Sequence, residues 1–161
     1  MVGLELWAEG DLEVARRFLS DPRMMTNLGG VQSNEEIEKA HQRWLNAPRA
    51  GGAMYKIVVD GDVVGTIGYW EKDWQGEEIY ETGWSVFPEH QGRGIALQAT
   101  LAIIEKTRAG TLRSLHAFPH VDNAASNKIC EKAGFKLLGP VEFEYPPGNF
   151  DPSNDWVLSL R

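Results

Sequence analysis

The stretch from Glu81 to Leu97 constrains the fold of this chain more than any other. Tyr80, Thr82, Trp84 and Val86 alternate with Glu81, Gly83, Ser85 and Phe87, an aromatic and β-branched pattern that predicts a strand over roughly 79–87. Pro88 lacks the N–H that a ladder needs and ends it. His90-Gln91-Gly92-Arg93-Gly94-Ile95-Ala96 then opens a helix running to about 108, with Leu97, Leu101 and Ile104 at i, i+4 and i+7. A glycine-rich turn feeding a helix start exposes unpaired N–H groups at the positive end of the helix dipole, a geometry that binds phosphate. No Lys-Ser/Thr follows these glycines, which excludes a Walker loop, and Leu97 stands where a dinucleotide fingerprint needs its third glycine. The stretch is either a phosphate loop of another kind or a glycine-rich turn without a ligand.

The flanking segments supply strands and helices in a definite order. Residues 3–7 read as a short strand, and Asp11 caps a helix carrying Leu12, Ala15 and Leu19, which Pro22 helps to end. Met24 to Gln32 reads as a loop, either a wall for a substrate or a plain connector. Ser33-Asn34-Glu35-Glu36 is a capping box for a second helix that stops before Pro48. Met54–Val59 and Val63–Trp70 form a hairpin across Asp60-Gly61, a polar loop covers 71–78, and the focal strand follows. After the long helix, Leu112–Phe118 is a further strand, parallel to the focal one because a crossover helix joins them. Asp122 or Asn123 caps a short helix ending at Gly134. Phe135–Leu138 and Trp156–Leu160 read as closing strands around a long aromatic loop. With 161 residues and no repeat or linker, one domain over 1–161 is expected.

Composition excludes several functions. The net charge of −7 without a Lys/Arg cluster argues against a nucleic-acid surface and suits cationic or amine-bearing partners. No apolar run is long enough to span a bilayer and no signal-like N-terminus is present, so a cytoplasmic protein without a membrane partner is expected. Cys130 is the single cysteine, so there is no internal disulfide and no cysteine zinc site. Trp70, Trp74 and Trp84 lie close in sequence and either line a cleft or fill a core.

Gln91-Gly92-Arg93-Gly94-Ile95-Ala96 meets the pattern Gln/Arg-x-x-Gly-x-Gly/Ala, and Asn123-x-x-Ser126-x-x-x-Cys130-x-x-x-Gly134-Phe135 meets a second pattern about thirty residues on. Together with the element order, these resemble the GNAT N-acetyltransferases over essentially the whole chain. The details Glu81-x-Gly83-Trp84 and Asn123-x-x-Ser126 look most like the branch containing the ribosomal-protein N-terminal acetyltransferases. The resemblance implies an α/β (α+β) fold: a mixed, mostly antiparallel sheet of about seven strands, helices on both faces, and a splayed parallel pair at the cofactor site. It implies acetyl-CoA as cosubstrate and a primary amine as acceptor, on a small molecule or a peptide or protein N-terminus. Homodimers are common in the family. A non-catalytic acyl-CoA sensor or scaffold is the competing reading, since Cys130 stands where the family often has a tyrosine that protonates the leaving thiolate.

By the same resemblance, the main chain of Gln91, Gly92, Arg93, Gly94, Ile95 and Ala96 holds the cosubstrate's pyrophosphate. Arg93 either adds charge or faces solvent. The main chain of Trp84 and Val86 carries the pantetheine arm as an added strand, and the Trp84 N–H is the oxyanion donor. Asn123 anchors the cosubstrate or caps its helix. The amine arrives as an ammonium and must lose a proton. Glu81 is the candidate base, through a water, with a structural ion pair as its other reading. His116 and His120 are rival bases; their spacing lacks the further ligands a metal needs, so no metal is expected. Ser126 is either the acid for the departing thiolate or a packing group. A buried Cys130 reads as packing.

Overall fold

The computed structural model describes residues 1–161. Seven strands, β1 (Val2–Leu6), β2 (Ala53–Val59), β3 (Asp62–Trp74), β4 (Glu77–Val86), β5 (Ser114–Ala117), β6 (Lys136–Glu144) and β7 (Phe150–Ser159), form one sheet in the order β1-β2-β3-β4-β5-β7-β6. Only β4 and β5 run parallel. The helices are α1 (Leu12–Leu19), α2 (Pro22–Met25), α3 (Asn34–Leu45), α4 (Ile95–Arg108) and α5 (Ala124–Ala133). No helix is long and apolar enough to cross a membrane.

Strand alternation sends Met54 and Ile57 to opposite faces. On one face Ile57, Ile67, Tyr80 and Leu115 pack against Ile95, Ala99 and Ile103 of α4 and Cys130 of α5. On the other, Trp7, Met54 and Phe87 pack against α1 and α3 through Ala15, Phe18, Leu19, Ile37 and Ala40. The sheet is therefore covered on both sides, as the resemblance implies.

Several expectations are corrected. Pro22 opens α2 instead of ending α1: it sits in the first turn, where its missing N–H costs nothing, and Asp21 caps the Arg23 N–H. Asp11 does not cap α1; its carboxylate accepts from the Ala8 N–H and Lys56 Nζ. In α4 the buried stripe is Ile95, Ala99 and Ile103, while Leu101 faces solvent. The helix has apolar residues almost all round, so spacing alone does not fix its phase. The polar loop over 71–78 is the tip of a long hairpin, turned at Gln75-Gly76 with positive φ at both. The aromatic loop before β7 is mostly strand: Pro140 and Pro152 are tolerated because β6 is an edge and β5 does not reach Pro152.

Candidate active site

The parallel pairing of β4 with β5 stops at Thr82↔Ala117, while β4 continues to Val86 against β3. The Phe87 N–H donates to the Val64 carbonyl on the β3 side. Strand alternation then turns the N–H and C=O of Trp84 and Val86 away from β3, into the gap that β5 has left. One of those groups is filled from within, because Gln91 Nε2 donates to the Val86 carbonyl at 2.8 Å.

Beyond Val86 the chain makes a short 3₁₀ turn over Pro88–His90 and enters α4 through Gly94, which has φ +75° and no side-chain cap. A Cβ there would meet no atom within 4 Å, so the position faces open space. The N–H groups from Gly92 to Leu97 have no acceptor in the protein. The Gln91 N–H, by contrast, donates to the Pro88 carbonyl. This corrects the expected donor set at its first member: the 3₁₀ turn uses that amide, and the Gln91 side chain braces the loop. Arg93 is exposed, without an ionic partner in the protein and outside the cleft lining. Ile95 and Ala96 offer main-chain N–H groups while the Ile95 side chain is buried in the core.

A cleft of about 1160 Å³ runs from this helix start past the splay, lined by Trp84, Val86, Gly92, Gly94, Asn123, Ser126 and Glu81 among others. Asn123 Oδ1 accepts the Ser126 N–H at 3.1 Å, so it caps α5. The Ser126 hydroxyl has no protein partner. Asn127 fixes the helix against β7: its Oδ1 accepts from Asn154 Nδ2 and Trp156 Nε1. Asn154 and Trp156 are thus bound to Asn127 and lie outside the cleft lining. Cys130 is fully buried, and burial pushes its thiol up to about 12, which suits packing and disables a nucleophile.

Glu81 stands at the foot of the splay. Its Oε1 accepts from Trp70 Nε1 at 3.0 Å and lies 3.9 Å from Lys72 Nζ. Burial raises its carboxyl to about 7; the Lys72 ammonium, the Trp70 hydrogen bond and His116 oppose that rise without cancelling it. A carboxylate balanced near neutrality is suited to accept a proton at physiological pH. The Lys72 ammonium also lies 4.9 Å from the Phe143 ring centroid.

His116 lies directly beside Glu81 in the β4–β5 register, but its Nδ1 is turned to Asp155 Oδ1 at 2.6 Å. His120 Nδ1 accepts the Asp122 N–H, so this ring serves the turn into α5. Tyr145, between β6 and β7, is raised mainly by burial, with Arg43 opposing the rise and Glu81 adding to it. The neighbouring Pro146 closes on the loop after α2; a Cβ at Gly29 would come within 2.5 Å of its Cδ. Met24 of α2 and Thr26, Asn27 and Leu28 of the loop after it line this end of the cleft.

Residues 2–136 match the model of the acetyltransferase (GNAT) domain. The chain belongs to the GNAT acetyltransferase family. A ribosomal-protein-serine acetyltransferase of Escherichia coli (strain K12) is 32% identical over 111 residues, covering 68% of this chain. That match spans 62% of the relative, less than two thirds of its length. The ribosomal alpha-N-protein acetyltransferase RimL in complex with coenzyme A superposes with a TM-score of 0.81 at 23% identity, over 98% of this chain and 93% of that one. The aminoglycoside acetyltransferase AAC(6')-Ib in complex with coenzyme A gives 0.82 at 17% identity, over 99% and 95%. At these identities the two structures speak for a shared fold.

Proposed function

We propose that this GNAT protein moves the acetyl group of acetyl-CoA to a primary amine by direct attack in a ternary complex, with Glu81 as the base. The observation that carries the reading is the sequence of three features along one cleft: free helix-start amides, unpaired β4 main chain, and a buried carboxylate raised to about 7. The amides of Gly92 to Ala96 hold the pyrophosphate, assisted by the dipole of α4. The main chain of Trp84 and Val86 carries the pantetheine arm, and the Trp84 N–H donates to the carbonyl oxygen as charge develops there. The cosubstrate supplies an activated acetyl group on a good leaving sulfur. Ser126 faces that end of the cleft as a hydrogen-bonding group. Glu81, through water, removes the proton that makes the arriving ammonium unreactive.

One relative is a ribosomal-protein-serine acetyltransferase, and one structural neighbour is an aminoglycoside acetyltransferase. Here the acceptor end is not strongly acidic, although the chain carries −7 overall. The cleft lining holds Glu81, Glu144 and Asp151 together with Arg43, Lys72 and Arg23, the last engaged by Asp21. Glu144 and Asp151 are also engaged by their own hairpin, accepting from the Gly148 N–H and Asn149 Nδ2. This balance favours an acceptor with one amine, a peptide N-terminus or a small monoamine, over a polycation. Thiol release from acetyl-CoA across N-terminal peptides, monoamines and aminoglycosides tests the reading. Turnover with single amines supports it; no release with any amine contradicts the transferase, and a preference for aminoglycosides contradicts the acceptor class.

A further inference from the structure

The buried His116–Asp155 pair has no part in the chemistry above, yet it adjoins the group that does. His116 and Asp155 are 6% and 3% exposed. Asp155 Oδ1 meets His116 Nδ1 at 2.6 Å, and Oδ2 accepts from Trp74 Nε1 at 3.1 Å. An ionised Asp155 can only accept, which would place a ring proton on Nδ1 and leave Nε2 its lone pair. Nε2 has no hydrogen-bond partner in the protein but is not sealed from solvent, since no buried side-chain nitrogen lacks a partner. Packing alone would be met by a neutral pair; burying a carboxylate costs more and is offset here by two donors.

We propose that His116, held in one tautomer by Asp155, takes the acceptor's proton from Glu81 through water and passes it to solvent, resetting the carboxylate between turnovers. The proposal rests on the transferase reading. His116 and Asp155 are positioning and relay residues, since neither touches the reacting atoms. The groups facing Glu81 are Lys72 on β3, His116 on β5 and Tyr145 beyond β6; those facing His116 are Glu81 and Asp155, with the Phe118 ring stacked on it. Lys72 favours the ionised Glu81 and so pushes the proton onward, while Asp155 stabilises the imidazolium that receives it.

The step balances. An ammonium gives one proton to Glu81, its nitrogen pair forms the C–N bond, and the C–S pair leaves with sulfur. The second N–H proton ends on the thiolate, and the first passes from Glu81 to Nε2 and then to bulk water. Ammonium and thioester become amide, thiol and one free proton.

The test is kcat against pH for the native protein, His116→Gln and Asp155→Asn, with KM for acetyl-CoA and melting temperature measured alongside. His116→Gln is expected to lose about tenfold in kcat with KM for acetyl-CoA unchanged, because a relay acts on proton movement and not on binding. Added imidazole should restore part of the rate in His116→Ala and leave the native protein unaffected. Equal kcat and pH profiles in native and His116→Gln would overturn the relay. If His116→Gln does not fold, Trp74→Phe, which removes one donor to Asp155, must give a smaller loss of the same kind, and an unchanged kcat overturns the relay. Nitrogen-resolved NMR of the imidazole provides a readout independent of turnover: a proton on Nδ1 is expected, and a neutral ring protonated on Nε2 alone would overturn the proposal. Absence of amine-dependent thiol release by the native protein refutes the transferase and the relay together; an active native protein whose His116→Gln variant keeps the native kcat and pH profile refutes the relay alone.

Discussion

The two ends of the cleft are built by opposite means. The donor end is main chain, drawn from one run between Trp84 and Leu97: strand groups left unpaired by the splay, then helix-start amides without acceptors. The acceptor end is side chains from distant segments. Trp70, Lys72, Glu81, His116 and Asp155 come together only because β3, β4, β5 and β7 are neighbours in the sheet. The first end depends on backbone conformation, including positive φ at Gly92 and Gly94; the second depends on burial and charge. On the proposed reading, the first end grips the cosubstrate and the second selects the acceptor.

That contrast can be broken at either end. The largest effect is expected from Glu81→Gln, which keeps an acceptor for Trp70 and removes the proton site; kcat at pH 8 should fall about a hundredfold or more. Acetyl-CoA affinity should barely change, and a matching loss of affinity would show that the two ends are not separate. Next comes Gly94→Asp, which places an anion where the helix start attracts one. Asp tolerates the left-handed conformation and finds open space there. Calorimetry should give a dissociation constant about a hundredfold weaker, some 2.7 kcal/mol. Gly94→Asn carries the same backbone strain without charge, so equal losses in both would point to strain and away from phosphate binding.

Stability offers a smaller effect with a definite sign. Burial holds the Glu81 carboxyl above its ordinary range, near 7, so its contribution favours the native state below about 4.5 and is lost as pH rises through 7. Glu81→Gln should therefore be roughly 2–3 kcal/mol more stable than native at pH 8 and no more stable at pH 4. Denaturant unfolding at both values checks this; an equal gap at both would mean that the effect is packing. The smallest effect belongs to Ser126→Ala. Its hydroxyl has no protein partner and a thiolate leaves readily, so kcat should fall about threefold at most; a far larger loss would make Ser126 the acid.

The donor end was legible in sequence because its signal is contiguous: an alternating strand, a proline, two glycines, a helix. Even there, the Gln91 amide was misassigned, since the turn it closes depends on Pro88–His90 geometry. At the acceptor end Glu81 was readable, but its partners were not. Trp70 would have followed from reading Gln75-Gly76 as a two-residue turn, which pairs residue 70 with 81. Asp155 gives no local signal. It reaches His116 through a crossover helix and a hairpin interrupted by Pro140 and Pro152, and the same prolines hid most of β6 and β7. The phase of α4 was equally unreadable, because Leu97 and Leu101 are as apolar as the residues that face the sheet.

The most direct test of the account is kcat/KM as a function of pH for amine-dependent thiol release, measured side by side for native protein and Glu81→Gln. The native rate should climb to a plateau with an inflection near 7, set by the buried carboxyl, and the variant should lack that inflection. An inflection at the same pH in both proteins would contradict the assignment of Glu81 as the group that takes the proton.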